Sequence, residues 1–521
     1  MKKSTLIQVF LTAALILIVS CSSPVQKVGE KLPRSIPEKE GVDSKGIIDF
    51  IKSFSNSSHE LHSFIFLRHG KVVAEAWWAP YAPDLKHTLY STSKSFTSTA
   101  IGFAVAEKKI KVTDKVISFF PEYLPDTISK NLADMEVRDL LSMTAGQDPD
   151  PTVLIPANDS NWIKGFLARP VINDPGTKFL YNSMATYMLS AIVQKATGEK
   201  VLDYLTPRLF RPLSIEGIDW ETDPMGINTG GWGLRVKTED LAKFGQFYLQ
   251  KGNWNGEQLL PVSWIKEATS FKIDQAPGSP DSIRNKSDWQ QGYCYQFWRC
   301  RNNAFRGDGA FGQYIIVMPE KDAVIAITSE TSDMQDEINH VWDYLLPSLK
   351  DKPLPENSQL NDELIKLIGS LSVKLPEPGI ENKLTPGIEG KIFQMSTNDW
   401  NLESMSFTSN GDVISLKMRV KGEEHTFIFG KDKWEEVMTT MHGPNLLGKA
   451  RNQFAGMPPV KVAGIYRWRE KNKLELTLRF IESPHSEIIT CDFNGKKISI
   501  SREISFMKGY KLPEIGGISA N

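Results

Sequence analysis

The sequence predicts an α+β protein: one antiparallel sheet built from both ends of a helix-rich domain, followed by a separate all-β domain. Two patterns support this. Between about residues 40 and 350, strand-like runs lie near both ends and helical periodicity fills the interval. Beyond about residue 387, strict apolar/polar alternation takes over. A chain of 521 residues has room for both domains.

The elements follow in order. Lys2 and Lys3 precede an apolar run from Leu6 to Val19, broken only by Gln8 and Thr12, and then Ser20-Cys21. This has the layout of an export signal and is too short for a comfortable membrane span. Ile18-Val19-Ser20-Cys21 resembles a bacterial lipobox, which implies lipidation of Cys21 and a lipid-anchored protein of the cell envelope, facing the periplasm or the outer surface. Residues 1–21 are therefore read as signal and lipobox, and the polar stretch 22–38 as a tether.

In the first domain, 39–350, a helix is expected over Ile47–Phe54. Strands are expected over Ser63–Leu67 and Lys71–Trp78, joined at His69-Gly70. Ala185, Met188, Leu189, Ile192, Val193 and Ala196 fall at helical spacing, stopped by Gly198. Strands return at Gly292–Trp298, Gln313–Met318 and Ala323–Thr328, and an amphipathic helix carrying Ile338, Val341, Trp342 and Leu345 closes the domain. Residues 351–386 read as a linker around a short helix, Asn361–Leu371. Residues 387–521 read as a small barrel or sandwich, with Asn410-Gly411 and Asn494-Gly495 as hairpin turns.

Composition narrows the function classes. Lys and Arg number 61 against 62 Asp and Glu, and no basic block stands out, so nucleic acid is not an expected partner. The eight histidines are scattered and no Cys/His spacing resembles a zinc site, so neither metal nor cofactor is implied. Cys294 and Cys300 are expected on one strand, about 20 Å apart and beyond disulfide reach. With Cys491 they leave an odd count once Cys21 is set aside.

The most informative motif is Ser91-Thr92-Ser93-Lys94, where strands give way to an almost uniformly apolar helix. Three-residue spacing places a hydroxyl and an amine on one helical face, and a desolvated amine can take the proton of a serine nucleophile. Ser-x-x-Lys also occurs at Ser263/Lys266 and Ser505/Lys508. The first of these reads as the capped start of an amphipathic helix and the second lies in the β-rich tail.

Later segments carry a family resemblance over residues 38–350. They are Val137-Arg-Asp-Leu-Leu-Ser-Met-Thr-Ala-Gly146, Pro175-Gly-Thr-Lys-Phe-Leu-Tyr-Asn-Ser183, Gly230-Gly-Trp-Gly-Leu234 and Gly307-Asp-Gly-Ala-Phe-Gly-Gln313. With the Ser91 motif, the chain resembles the serine β-lactamase-like hydrolases: class C β-lactamases, DD-peptidases, esterases and 6-aminohexanoate-oligomer hydrolases. The resemblance implies a serine β-lactamase/DD-peptidase-like fold, with an antiparallel sheet flanked by helices and a helical subdomain. It also implies Ser91 as acylated nucleophile, Lys94 as its base partner, Tyr181 as proton shuttle, and the Ser91 and Ala310 backbone N–H groups as oxyanion donors.

Two departures from the family pattern bear on substrate. Ser183 stands where lactamases carry the asparagine of Tyr-x-Asn. Gly307-Asp308-Gly309 replaces Lys-Thr-Gly, which removes a carboxylate-binding lysine and places at Asp308 a charge suited to an ammonium. The resemblance is then to the esterase and 6-aminohexanoate-hydrolase branch, and the expected reaction is cleavage of a small ester, linear amide or peptide-like substrate. Alternatives are a D-amino-acid peptidase, with Arg299, Arg301 or Arg306 as replacement cation, a weak β-lactamase, or a binding lipoprotein on a hydrolase scaffold. Trp232 and Tyr295 are candidate site walls.

Overall fold

In a computed structural model of the chain, residues 30–519 are described; the expected export signal and the expected lipidation site Cys21 lie outside them. The first domain is organised on strands β1 (Glu60–Arg68), β2 (Lys71–Trp77), β3 (Trp298–Arg299), β4 (Phe305–Gly309), β5 (Gln313–Met318) and β6 (Ala323–Glu330). Their order in the sheet is β2-β1-β6-β5-β4-β3, so β1, from the start of the domain, pairs with β6 from its end. Both faces are covered, and β1 is accordingly almost wholly buried, with the apolar run Phe64–Leu67 at its centre. Phe64 and Phe66 face the helices α1 (Ser44–Ser53) and α5 (Met334–His340), while Ile65 and Leu67 face the opposite core.

Helices α2 (Ser93–Ala106), α3 (Ser183–Thr197) and α4 (Thr238–Leu249) fill the middle of the chain. α2 is buried on every side from Ser93 to Ala104, which explains its lack of an exposed polar face. α3 is capped by the Asn182 side chain, which accepts from the Ala185 N–H, and ends at Gly198 with φ 81°. α4 lies close on the sheet: a Cβ at Gly245 would sit 2.5 Å from Val324 Cγ1.

Four expectations are corrected. The run Gly292–Trp298 is not a regular strand, because Gln296 takes φ 64° and its amide donates to the Leu140 and Leu141 carbonyls. These side-chain bonds replace a ladder, so Cys294 and Cys300 do not share a strand; both are free and buried, as is Cys491. The expected tether is already held from Leu32, which is buried, and Arg34 pairs with Glu75 and Glu239. The expected linker is docked: α6 (Ser358–Ile368) packs on α1 through Leu364, and Val373 bonds to the Ala79 carbonyl. The amphipathic helix α5 widens after His340 into a π-turn over Val341–Leu345.

The second domain is an all-β barrel of ten strands, from Ile392–Met395 to Ile515–Ser519. Neighbours pair antiparallel, and a parallel bridge from Gly430 on one edge strand to Ile465 on the strand beside the other edge draws the sheet closed. Ile414, Leu416 and Met418 face its interior with Leu474, Leu476 and Leu478, the alternation read from sequence. The barrel docks on the first domain through its 479–485 turn. Arg479 pairs with Glu60, and the Glu482 carbonyl accepts from the Thr88 N–H at 3.0 Å.

Candidate active site

Ser91 sits in a tight turn, Tyr90–Thr92, immediately before α2. Thr92 Oγ1 donates to the Gln313 carbonyl on β5 at 2.7 Å, and Ser93 Oγ donates back to the Tyr90 carbonyl at 2.6 Å. The turn is thus fixed between the sheet and the helix. Lys94, on the first turn of α2, is buried and brings its Nζ to 2.9 Å from Ser91 Oγ. The same Nζ reaches Ser183 Oγ at 2.9 Å and the Gly231 carbonyl at 2.7 Å.

That environment suits a neutral amine as well as an ammonium. Only the Gly231 carbonyl requires an N–H, because the two serine hydroxyls can turn either way. With its second N–H toward Ser183, a neutral Lys94 presents its lone pair to the Ser91 hydroxyl. Burial pulls the Lys94 pKa down to about 7, while the charges of Asp150 and Asp308 hold it up. A lysine in this range is half neutral at physiological pH, as a general base must be.

Tyr181 comes from the loop before α3, with its ring centroid 4.8 Å from Lys94 Nζ. Burial pushes its phenol well above the ordinary value, against the opposing pull of the nearby Ser91 hydroxyl. A resting phenolate is therefore disfavoured, which leaves Tyr181 able to pass a proton in concert with its neighbours. Trp298 stacks on the Tyr181 ring at 5.5 Å and Tyr293 meets it edge-on at 6.3 Å. With Phe179, Trp289 and Met143 they form an aromatic wall. The sequence reading placed the candidate walls elsewhere. Trp232 is packed in the core on Trp162, and Tyr295 lies beneath Lys272.

The Gly307–Gly309 segment forms β4 and its end presses against the Ser91 turn. A Cβ on Gly309 would fall 2.2 Å from the Leu89 carbonyl oxygen, and one on Gly307 3.1 Å from Ser95 Oγ. Ala310 opens the turn between β4 and β5 that follows. Two substrate-binding expectations change. Ser183 is committed to Lys94. Asp308 is buried and accepts from Arg306 Nε at 2.8 Å, so its charge faces an internal partner rather than an incoming ammonium. Arg306 is itself sealed beneath Trp289 and bonded to the Asp288 carbonyl, and Arg301 is paired with Asp288. Neither offers a free cation to a carboxylate.

Sequence reasoning missed the contribution of the barrel. His485 Nε2 lies 2.6 Å from the hydroxyl of Tyr90, the residue before Ser91, and its Nδ1 lies 2.8 Å from Glu330 Oε1. Ser505 Oγ, also from the barrel, donates to the same carboxylate oxygen at 2.6 Å. The 440–459 segment reaches further, with the Arg451 N–H donating to the Pro156 carbonyl and Asn452 Nδ2 to the Asp223 carbonyl. No local motif marks these residues, because their partners are distant in sequence.

Comparison with known proteins gives a consistent set. A family model described as Beta-lactamase matches residues 62–346. A 6-aminohexanoate-dimer hydrolase of Paenarthrobacter ureafaciens is 27% identical over 292 residues, covering 52% of this chain and 73% of that protein. A beta-lactamase of Escherichia coli K12 is 22% identical over 316 residues, covering 50% of this chain and 81% of that one. A solved Bacillus anthracis structure, provisionally described as a 6-aminohexanoate-dimer hydrolase, superposes with a TM-score of 0.51 at 21% identity, covering 63% of this chain and 90% of that one. EstCE1, described as a hydrolase with promiscuous acyltransferase activity, gives a TM-score of 0.50 at 15% identity over 60% of this chain and all of that one (100%). The structural likenesses establish the fold.

Proposed function

The chain belongs to the beta-lactamase family, and from that premise we propose that it is a serine hydrolase cleaving a small ester or linear amide through an acyl-Ser91 intermediate. The observation that carries the reading is the buried Lys94 amine, 2.9 Å from Ser91 Oγ with its pKa drawn down to about 7. Neutral Lys94 accepts the Ser91 proton as Oγ attacks the substrate carbonyl. The Ser91 and Ala310 N–H groups receive the developing oxyanion, an interaction that typically contributes a few kcal/mol to barrier reduction. Tyr181 passes a proton to the leaving group as the carbonyl–heteroatom bond breaks and is reprotonated from Lys94. Water then repeats the sequence on the acyl-enzyme, releasing the acid and restoring Ser91.

Substrate chemistry follows from the walls. The aromatic cluster beside Tyr181 favours uncharged, apolar groups. The absence of a lysine in Gly307-Asp308-Gly309, with Arg301 and Arg306 engaged elsewhere, leaves Arg299 alone of the three arginines for a carboxylate anchor, and this disfavours a peptidase or lactamase role. Similarity to a 6-aminohexanoate-dimer hydrolase supports linear amides as a substrate class beside esters. The sequence to Cys21 further supports an exported, lipid-anchored protein; incorporation of a palmitate analogue into wild type but not Cys21→Ala tests that part.

The activity is tested with a fluorophosphonate probe and with p-nitrophenyl acetate and butyrate turnover, on wild type and Ser91→Ala. Labelling and turnover that vanish in the variant are expected. A folded wild type that neither labels nor turns over these esters would overturn the reading in favour of a binding protein.

A further inference from the structure

A second cluster of chemistry-bearing side chains lies at the start of β1, apart from the Ser91 site. His59 precedes β1, and Asp336 and His340 are four residues apart on α5, hence on one helical face. His59 Nε2 lies 2.9 Å from Asp336 Oδ2, and His340 Nε2 lies 3.6 Å from the same oxygen. One ligand atom from each residue falls within 4.8 Å of the others. Four-coordinate zinc bonded to nitrogen and oxygen at about 2.0–2.2 Å places its ligand atoms about 3.3 Å apart. The three groups therefore stand close to the span of a metal's coordination sphere.

The surrounding hydroxyls decide what the imidazoles present. When Ser53 Oγ donates its one proton to the Phe50 carbonyl at 2.7 Å, it accepts from His340 Nδ1 at 2.5 Å. In that tautomer His340 Nδ1 carries the proton, and in the neutral ring Nε2 is a bare lone pair. That lone pair faces a carboxylate oxygen, which is also an acceptor. Two acceptors in this position require a proton or a cation between them. The His340 ring is held in this orientation by stacking on Phe54 at 4.5 Å. His59 Nδ1 is likewise held, 2.5 Å from Thr331 Oγ1, and the two imidazole planes stand 84° apart. Outward Nδ1 partners with inward Nε2 atoms are the outer-shell arrangement of metal-binding histidines.

We propose that His59, Asp336 and His340 bind one divalent transition-metal cation of the zinc class. Two imidazoles and one carboxylate select such ions over magnesium or calcium, whose ligands are mainly oxygen. The His59 side chain is 1% exposed and Asp336 52%, so the site opens to solvent on the carboxylate side, which allows entry and a fourth ligand. The ion would tie the entry of β1 to α5 just where that helix widens into its π-turn. It shares a sheet end with the Ser91 turn, but the hydrogen-bond partners of its three residues are not Ser91, Lys94 or Tyr181, which assigns it a clamping rather than a catalytic role.

The test uses the full chain in detergent, without a polyhistidine tag, stripped with chelator and dialysed. Zn2+ is titrated by calorimetry, Co2+ by visible absorption, and thermal unfolding is followed with and without Zn2+. One equivalent of Zn2+, ligand-field bands of low-symmetry Co2+ and a Tm raised by Zn2+ are expected. Asp336→Asn and His340→Gln should weaken binding by about 100-fold or more, and Thr331→Val by about tenfold through loss of the outer partner. Surface variant His69→Gln should bind as wild type. Far-UV circular dichroism and a cooperative unfolding transition report that each variant is folded. Failure of the wild type to bind one equivalent would overturn the proposal, as would folded Asp336→Asn and His340→Gln variants that bind like wild type.

Discussion

The protonation of Lys94 sets a pH profile that distinguishes this site from one with an ordinary lysine. The general base must be neutral, and its pKa is lowered from 10.5 to about 7 by burial. The acid limb of kcat/KM for p-nitrophenyl butyrate should therefore turn near pH 7. About one-tenth of the plateau remains at pH 6 and about nine-tenths is reached at pH 8, with a tenfold fall per unit below the turn. Fluorophosphonate labelling should follow the same curve, since it needs the same proton removal. A lysine near 10.5 would instead give a rate still climbing tenfold per unit at pH 9. Either that climb or a flat profile down to pH 5.5 would refute the assignment of Lys94 as base. The same shift has a stability consequence, and its sign follows from proton binding. Between about pH 7 and 10.5 the unfolded chain holds a proton that the folded chain does not, so stability rises with pH across that window. At pH 7 the burial of Lys94 costs on the order of 4 kcal/mol. Lys94→Met should abolish turnover, yet raise stability at pH 7 by about 1–3 kcal/mol, the remainder being offset by partners left unbonded.

Three further outcomes are expected. Tyr181→Phe should lower kcat by about 10²–10⁴-fold for substrates with poor leaving groups, with unfolding midpoints little changed; equal activity on an amide or alkyl ester would remove Tyr181 from proton transfer. Gly309→Ala places a Cβ 2.2 Å from the Leu89 carbonyl oxygen, backbone that cannot swing away, and should cost about 1–3 kcal/mol in urea denaturation and displace the Ser91 turn, lowering labelling rate. His485→Phe removes both bonds from Tyr90 and Glu330; we expect kcat to fall about tenfold or more with KM nearly unchanged, and a shift in KM alone would argue against a positioning role.

What the sequence disclosed and what it hid divide along a physical line. β1, β5 and β6 were legible because burial of both faces imposes an apolar pattern that survives in one dimension. The barrel strands were legible from alternation, and Ser91 with Lys94 from a spacing that one helical turn converts directly into contact. Polar pairing through space has no such projection. Nothing near Asp308 announces that Arg306, two residues away on the same strand, neutralises it, because i and i+2 share a face only once the strand exists. Gly231 stood in a noted motif, but its role as a carbonyl acceptor for Lys94 belongs to its backbone and not to its residue type. Gly292–Trp298 alternates well enough to read as strand. Gln296 defeats the pattern by bonding its amide to the carbonyls of a separate helix end.

The barrel is best understood through Tyr90. This bulky residue holds φ 46°, a conformation that costs on the order of 1–3 kcal/mol for a side chain of its kind. Such strain persists only where several contacts hold it, and here they come from both domains. Ser93 Oγ bonds the Tyr90 carbonyl from α2, while His485 bonds its hydroxyl and packs with Phe311 around its ring. His485 is in turn fixed by Glu330, at the end of β6, the strand beside β5 that receives Thr92. The position of Ser91 is consequently set by a closed circuit running from the sheet through the barrel and back to the turn. A hydrolase domain without the barrel lacks one side of that circuit. On the proposed acyl-Ser91 mechanism, the second domain acts on catalysis by holding Tyr90, the residue next to Ser91, in a strained geometry.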